Sequence, residues 1–447
     1  MRSMSKRKRK KVSTELVTAT VTELNHEGRG IARVNGKATF LFGALAGETV
    51  QFQYSKYHRQ YDEGAVVDVI EKSPDRVIPK CKHFGVCGGC SLQHMNSDAQ
   101  RTHKQAVLLE HLQHQADCVP AEILPPIYAD SWEYRRRARL SVRFVTKKNA
   151  VLVGFRERGS SFVAQLESCD ILHPSIGKKI KLLGELLMQC EMKSHIAQIE
   201  VAIGDNVSAI VVRHLVELPK SDIEKLILFS RDNNLQLYFQ PEGTDSIHAV
   251  YPENPDRLFY EIPDQQIKIY FKPSQFTQIN QAVNIKMISR AIELLDLQKT
   301  DRVLDLFCGI GNFSLPIAKY CAEVIGVEGS ENAIAQAQNN AQENNIHNTQ
   351  FFTQDLSVDL SHAAWSQNQF DKIILDPPRV GAKELIPYFA IWKPKRIVYI
   401  SCNPITLARD TKDLLQLGYT LEKAGVMDMF PHTEHVEAIA VFAIIET

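Results

Sequence analysis

The sequence predicts a multidomain α/β protein: a small N-terminal β-barrel, a central mixed α/β region and a C-terminal doubly wound sheet. Three observations carry that expectation. The chain has 447 residues, about three domains at roughly 150 residues each. Between residues 16 and 75, short Val/Thr-rich runs are separated by turn signals, the pattern of a turn-rich barrel. From about Thr277 onward, apolar runs alternate with helical stretches, the pattern of a sheet covered on both faces.

Composition narrows the class further. Hydrophobic residues make up 44% and charged residues 23%, with 52 Lys+Arg against 52 Asp+Glu, which excludes disorder, collagen and coiled coil for the chain as a whole. The longest uninterrupted apolar run, 438–445, has eight residues; a membrane helix needs roughly 18, so no membrane partner is expected. No apolar stretch follows the basic N-terminus, and the expected compartment is the reducing cytoplasm. The nine cysteines are therefore read as ligands, nucleophiles or packing.

The zero net charge conceals a division. Residues 1–158 carry 27 basic and 16 acidic side chains, whereas residues 159–447 carry 25 and 36. Residues 1–11 hold seven cations (Arg2, Lys6, Arg7, Lys8, Arg9, Lys10 and Lys11) and no acid. This basic arm is suited to neutralising phosphates, or is a solubilising tail.

Residues 12–75 form the barrel, with runs at 17–21, 38–41, 49–54 and 65–70 and turn signals at Gly28, Gly30, Asn35-Gly36 and Gly47. Tyr54, Lys56, Tyr57, His58, Arg59 and Tyr61 mix cations with stacking rings, as an OB-like face for single-stranded nucleic acid does. Residues 76–270 form the central domain. Alternation along a strand there places Arg135, Arg137, Arg139, Ser141 and Arg143 on one face, either a cationic stripe for phosphates or a solvated surface. Residues 271–447 form the third domain, with strands expected at 302–307, 323–327, 350–353, 372–375, 396–400 and 438–445.

Ligands of doubly wound sheets sit beyond the carboxyl ends of the strands. After the first strand comes Asp305-Leu306-Phe307-Cys308-Gly309-Ile310-Gly311-Asn312-Phe313, with Ser314 where a dinucleotide fingerprint has its third glycine. Glu328, 19 residues after Gly309, stands where a carboxylate accepts hydrogen bonds from ribose hydroxyls. Asp355 follows the third strand and Asp376-Pro377-Pro378-Arg379 the fourth. Together these elements resemble an S-adenosylmethionine-dependent methyltransferase domain.

Ile400-Ser401-Cys402-Asn403-Pro404 follows the fifth strand and puts a thiol at the same rim. Transfer to a nitrogen or oxygen lone pair needs no enzyme nucleophile. Carbon 5 of a pyrimidine, by contrast, becomes nucleophilic only after a group adds at carbon 6, and a thiolate suits that addition. The carbon-5 hydrogen must then leave to a general base. Pro431-His432-Thr433-Glu434-His435-Val436-Glu437 offers Glu437, with His432 and His435 as rivals.

Cys81, Cys87 and Cys90 lie within ten residues, and Cys169 is the best fourth ligand. Their spacing leaves a zinc site and a four-iron cluster equally open. Cys118, Cys190 and Cys321 match no motif and are read as packing, and Cys308 belongs to the glycine loop.

The S-C-N-P and D-P-P-R runs, the D-L-F-C-G-I-G-N-F loop, the terminal H-V-E and Phe276-x-Gln278-x-Asn280 resemble the RNA uracil carbon-5 methyltransferase family over essentially the whole chain. Residues 16–75, with Gly28-Arg29-Gly30-Ile31-Ala32, resemble its RNA-binding TRAM barrel. The resemblance implies a Rossmann-like, S-adenosyl-L-methionine-dependent catalytic domain. In it Cys402 is the nucleophile and Glu437 the base, and Gln278, Phe307, Asn312, Glu328, Asp355 and Asp376 line the donor and uracil sites. It also implies a [4Fe-4S] cluster on Cys81, Cys87, Cys90 and Cys169, structural because methyl transfer is not a redox reaction. Uracil is favoured over cytosine, because the cytosine enzymes carry their cysteine after the fourth strand. The iron-sulfur branch points to 23S ribosomal RNA as partner, with the target base flipped out or in a remodelled loop. No DNA partner is expected, and the chain is expected to be a monomer. A transfer-RNA or other ribosomal-RNA enzyme, and a non-catalytic RNA-binding or ribosome-assembly module, are the competing readings.

Overall fold

A computed structural model of the chain describes residues 13–444; the basic arm read at 1–11 lies outside the described residues. The chain packs as two compact units. One takes in the barrel up to Gly85, Gly89–Lys104 and His432–Glu434; the other takes in Val86–Gly88, Gln105–Pro431 and the chain from His435.

In the first unit, Val17–Leu24, Gly30–Val34, Lys37–Phe42, Thr49–Tyr57 and Tyr61–Glu71 close into a five-stranded barrel. Alternate residues point inward, and Val21, Ala32, Leu41, Val50 and Phe52 fill the interior. Asn35 (φ 51°) and Gly36 (φ 78°) make the two-residue hairpin turn, the left-handed pair that matches strand twist. Gly30 is a correction to the expected turn signals. It opens a strand, where a Cβ would lie 2.7 Å from the Ala44 Cβ and 2.8 Å from Val21 Cγ1, so close packing explains the glycine there. The expected stacking face is largely folded onto itself. Tyr54 packs on Phe52 and Tyr57 (centroids 5.1 and 4.9 Å), and His58 stacks on Tyr61 at 4.3 Å. Lys56 and Arg59 are exposed.

The second unit holds two large sheets. The central one has six strands, in the order His248–Tyr251, Leu235–Gln240, Ser208–His214, Ile196–Ile203, Arg137–Val145 and Ala150–Gly154. Its core gathers Leu140, Ile199, Ile210, Val212 and Leu237 with Leu183, Leu187 and Leu226 from the covering helices Ile180–Met188 and Lys220–Asp232. Strand Arg137–Val145 alternates as expected, with Ala138, Leu140 and Val142 buried. The arginines on its other face are less available than the stripe implied. Arg137 donates to the main-chain carbonyls of Pro273 (2.9 Å) and Gln275, and Arg139 pairs with Glu200 at 3.1 Å. Arg135 precedes the strand and donates to the Arg137 carbonyl at 3.0 Å. Arg139 and Arg143 remain exposed.

The C-terminal sheet has eight strands, in the order Thr349–Thr353, Glu323–Glu328, Arg302–Leu306, Lys372–Leu375, Arg396–Ser401, Glu437–Ile444, Tyr419–Met427 and Glu122–Ile123. The first five are parallel, and Glu437–Ile444 runs antiparallel to both its neighbours. Leu304, Leu306, Val327, Leu375, Tyr399 and Phe442 are buried in its core, which explains why the strands read as near-continuous apolar runs. The Tyr419–Met427 strand was not expected. Thr420, Glu422 and Lys423 interrupt its apolar pattern, and the ladder shifts register between Leu421 and Lys423, so the period-2 signal breaks. Strand order reverses between Arg302–Leu306 and Lys372–Leu375, which opens a crevice at their carboxyl ends. Among the described residues, no helix is long and apolar enough to cross a membrane.

Candidate active site

The site is built at those carboxyl ends, beginning with the loop that leaves Arg302–Leu306. Phe307 (φ 64°), Gly309 (φ 56°) and Gly311 (φ 94°) all adopt left-handed backbone, which two glycines tolerate freely and Phe307 only under restraint. Side-chain clamps fix the rest of the loop. Gly309 N donates to Glu328 Oε2 at 3.4 Å and Ser330 N to Glu328 Oε1 at 3.1 Å. Asn340 Nδ2 holds the Ile310 carbonyl at 3.1 Å. Asn312 accepts from the Tyr260 hydroxyl at 2.8 Å and exchanges two 3.0 Å hydrogen bonds with Asn284.

Beneath the loop, Asp305 is 1% exposed and accepts a 2.5 Å hydrogen bond from Ser314 Oγ. Burial, then the charges of Asp376 and Glu328, push its carboxyl up to about 7 against the Ser314 hydrogen bond. Asp376 directly follows strand Lys372–Leu375 and accepts from Gln278 Nε2 at 3.2 Å; burial pushes it up to about 7 as well. Asp355 differs. It is exposed, accepts from the Ser357 hydroxyl (2.6 Å) and amide (2.9 Å), and is held below the usual carboxylate range by them.

Cys402 occupies the step between a strand and a helix. Ser401 ends Arg396–Ser401, and Asn403 caps helix Pro404–Gln416 by accepting from Ile405 N at 3.1 Å, with Pro404 at the first helical position. The antiparallel ladder pairs Ser401 with Ala438, so one further step sets Cys402 beside Glu437. Glu437 is 8% exposed. Burial, then Glu437 and Asp376, push the Cys402 thiol up to about 11, with Arg379 opposing them. Asn403 Nδ2 and Thr406 Oγ1 hold the Arg379 carbonyl at 3.0 and 3.3 Å, tying the thiol loop to the Asp-Pro-Pro-Arg loop. Buried Asp410 fixes the far side of that loop, accepting from Ala382 N and the Tyr399 hydroxyl, both at 2.7 Å. Gly381 (φ +80°) has no room for a side chain there: a Cβ would lie 2.6 Å from Asp410 Oδ2.

The structure thus gathers the expected Gln278, Phe307, Asn312, Glu328 and Asp376 around one loop system, and Cys402 and Glu437 with Asp376 at its rim. The rival histidines are otherwise engaged. His432 is 3% exposed within the first unit, where Gln100 meets both its amide (2.8 Å) and its Nδ1 (3.2 Å). His435 Nδ1 lies 3.1 Å from Arg379 Nη2. Sequence reasoning passed over Asn284, Asn340 and Asp410. The available signal was a polar residue on the inward face of an amphipathic helix, since all three are fully or almost fully buried.

The four expected cluster ligands are half-buried. Cys81 and Cys90 belong to the first unit, and Cys87 and Cys169 to the second. Cys81 N donates to Gln93 Oε1 at 3.1 Å and Cys169 N to the Gly177 carbonyl at 2.8 Å. Among the described residues, no group of three or more His, Cys, Asp or Glu is arranged to hold a metal ion. The thiols have the right chemistry for iron. Cys190, Cys308 and Cys321 are buried.

Comparison with known proteins agrees with this geometry. The family model of tRNA (uracil-5-)-methyltransferases matches residues 127–443, and that of the TRAM domain matches residues 10–67. A 23S rRNA (uracil(1939)-C(5))-methyltransferase, RlmD, of Legionella pneumophila (strain Lens) is 48% identical over 428 residues, covering 95% of this chain and 96% of the relative. The protein of the same description from Nitrosococcus oceani is 47% identical over 438 residues, covering 97% and 98%. Among solved structures, the Pyrococcus abyssi tRNA (uracil-54, C5)-methyltransferase in complex with S-adenosyl-L-homocysteine superposes with a TM-score of 0.70 at 22% identity, covering 96% of this chain and 100% of that one, which establishes the shared fold. With a catalytic sheet that ends in a thiol and a carboxylate side by side, the chain belongs to the tRNA (uracil-5-)-methyltransferase family and carries an N-terminal TRAM domain.

Proposed function

We propose that this protein methylates carbon 5 of a uridine in 23S ribosomal RNA, the counterpart of the position numbered 1939 in the name of its Legionella relative. The observation that carries the reading is the placement of Cys402 beside Glu437 by strand register, with Asp376 within electrostatic reach. Cys402 adds to carbon 6 of the uracil, so that the electrons of the ring double bond become available at carbon 5. S-adenosylmethionine supplies an electrophilic methyl group to that carbon. Glu437 then removes the carbon-5 proton, the double bond re-forms and the Cys402 thiolate is expelled. Glu328, Phe307 and Asn312 hold the donor, with Asp355 at the far rim. Gln278 and Asp376 face the junction between donor and base. Lys56, Arg59, Arg139 and Arg143 offer phosphate contacts, with the flipped base inserted at the rim. The protein acts as a cytoplasmic monomer.

Labelled donor supplied with separately purified 23S RNA and transfer RNA tests the substrate. Label is expected at uridine carbon 5 of the 23S RNA. Label confined to transfer RNA would overturn the choice, and binding to either RNA without label would favour an assembly role.

Within the same proposal, Cys81, Cys87, Cys90 and Cys169 bind a [4Fe-4S] cluster that braces the RNA-binding region and takes no part in methyl transfer. Support comes from four thiols in a cytoplasmic chain and from the turn around Gly85 (φ +89°) and Gly88, whose amide donates to the Arg156 carbonyl at 2.9 Å. Anaerobically purified protein is expected to contain about four irons and matching sulfide per chain. Zinc in their place, or protein that retains its fold with neither metal, would refute this assignment.

A further inference from the structure

Asp305, Glu328 and Asp376 stand at the carboxyl ends of three adjacent parallel strands. Glu328 and Asp376 both act electrostatically on Asp305. Among the described residues, none of the three has a Lys or Arg partner. Asp305 is the most confined: Ser314 satisfies Oδ2, while Oδ1 is buried with no hydrogen-bond partner. An ionised carboxylate is costly in such a place unless a cation is added or a proton is taken up. The other groups packed against it provide no cation. They are the Ser314 hydroxyl from the helix above, the Cys308 thiol from the loop, itself pushed well up by burial and by Asp305 and Glu328, and the two neighbouring carboxylates. On the far side of Asp376 are the Gln278 amide and Cys402, and Arg379 acts on that thiol.

We propose that this carboxylate cluster makes the donor site charge-selective: it holds the sulfonium donor as the missing cation and lets go of the thioether product, one positive charge poorer, as Asp305 takes up a proton from solvent. The proposal rests on the donor-site reading given above. Asp305 and Asp376, each raised to about 7 in the free protein, fall back toward ordinary carboxylate values beside a cation, so donor binding expels a proton at and below neutral pH. Donor affinity therefore climbs as pH rises toward the free-protein value and levels off above it, by up to about tenfold per pH unit for one linked proton. The product, lacking the sulfonium, shows a much flatter dependence.

Titration calorimetry in buffers of different ionisation heat tests this, with S-adenosylmethionine, S-adenosylhomocysteine and sinefungin, whose amine carries a charge in place of the sulfonium. Between about pH 6 and about pH 8, the preference for the two cationic ligands over the thioether is expected to grow about tenfold, with matching proton release. Asp305→Asn should remove most of that growth. Ser314→Ala, a milder change, withdraws a hydrogen bond that favours the ionised form and should move the pH window upward. Equal proton release for sulfonium and thioether in the unaltered protein would overturn charge selectivity. Failure of all three ligands to bind would instead overturn the donor-site reading itself.

Discussion

Cys402→Ala protein is expected to bind 23S RNA within about threefold of the unaltered protein and to make no methyluridine, a loss of at least about 10⁴ in kcat, or about 5 kcal/mol of barrier. The size follows from the chemistry. Without the thiol, carbon 5 of uracil has no source of electrons, and the site's other thiol, Cys308, is buried. Binding survives because its main determinants, cations meeting phosphates, lie elsewhere. The electrostatics add a pH signature. With its thiol pushed up to about 11 by burial, Glu437 and Asp376, the RNA-free protein holds only about one Cys402 in 10⁴ as thiolate at pH 7. Alkylation of Cys402 by iodoacetamide should therefore be slow at neutral pH and climb about tenfold per pH unit toward that value. Fast alkylation at neutral pH would mean that the resting thiol is activated, and full turnover by the alanine variant would exclude thiol addition. A resting thiol of this kind suits late activation. On the proposed mechanism the proton leaves as the base arrives, and Glu437 and Asp376, the carboxylates that act on the thiol, would take it.

Much of this site was legible in the sequence because doubly wound sheets place functional residues in runs just after strands. The Asp305–Phe313 loop, Glu328, the Asp-Pro-Pro-Arg run and Cys402 each follow an apolar stretch whose length marks it as a buried strand. Partnerships were harder to read. That Cys402 meets Glu437 depends on an antiparallel register across 34 residues of intervening chain, and the strand between them in sequence, Tyr419–Met427, carries its own bulge. The buried amides Asn284 and Asn340 and the carboxylate Asp410 gave no motif, because each acts by filling the hydrogen-bonding needs of a loop from a helix distant in sequence. The arginine stripe shows the opposite failure. Its alternation was right, but a cation's availability depends on neighbours, and Arg137 is occupied by two main-chain carbonyls that no local pattern announces.

Glu437→Gln is expected to stop the reaction after methyl transfer and trap protein and RNA in a covalent adduct. Once Cys402 has added and carbon 5 has received its methyl, the ring is saturated at both carbons, and only loss of the carbon-5 proton allows the carbon-sulfur bond to break. Glutamine keeps the size and the hydrogen-bonding reach of the side chain at this 8% exposed position but cannot accept that proton, so turnover should fall by about 10²–10⁴. The adduct should survive denaturing electrophoresis and carry label from the donor, and RNA containing 5-fluorouridine should produce the same band with the unaltered protein, since fluorine cannot leave as a proton. His432→Ala is the matching control. Its imidazole is held by Gln100 in the first unit, so the change should lower stability without trapping RNA. Turnover by the glutamine variant with no adduct would assign proton removal to another group. Loss of both turnover and adduct would show that the carboxylate is needed earlier, to take the thiol's own proton. The strand ladder allows either timing, because its register holds Glu437 beside Cys402 whichever proton is taken first.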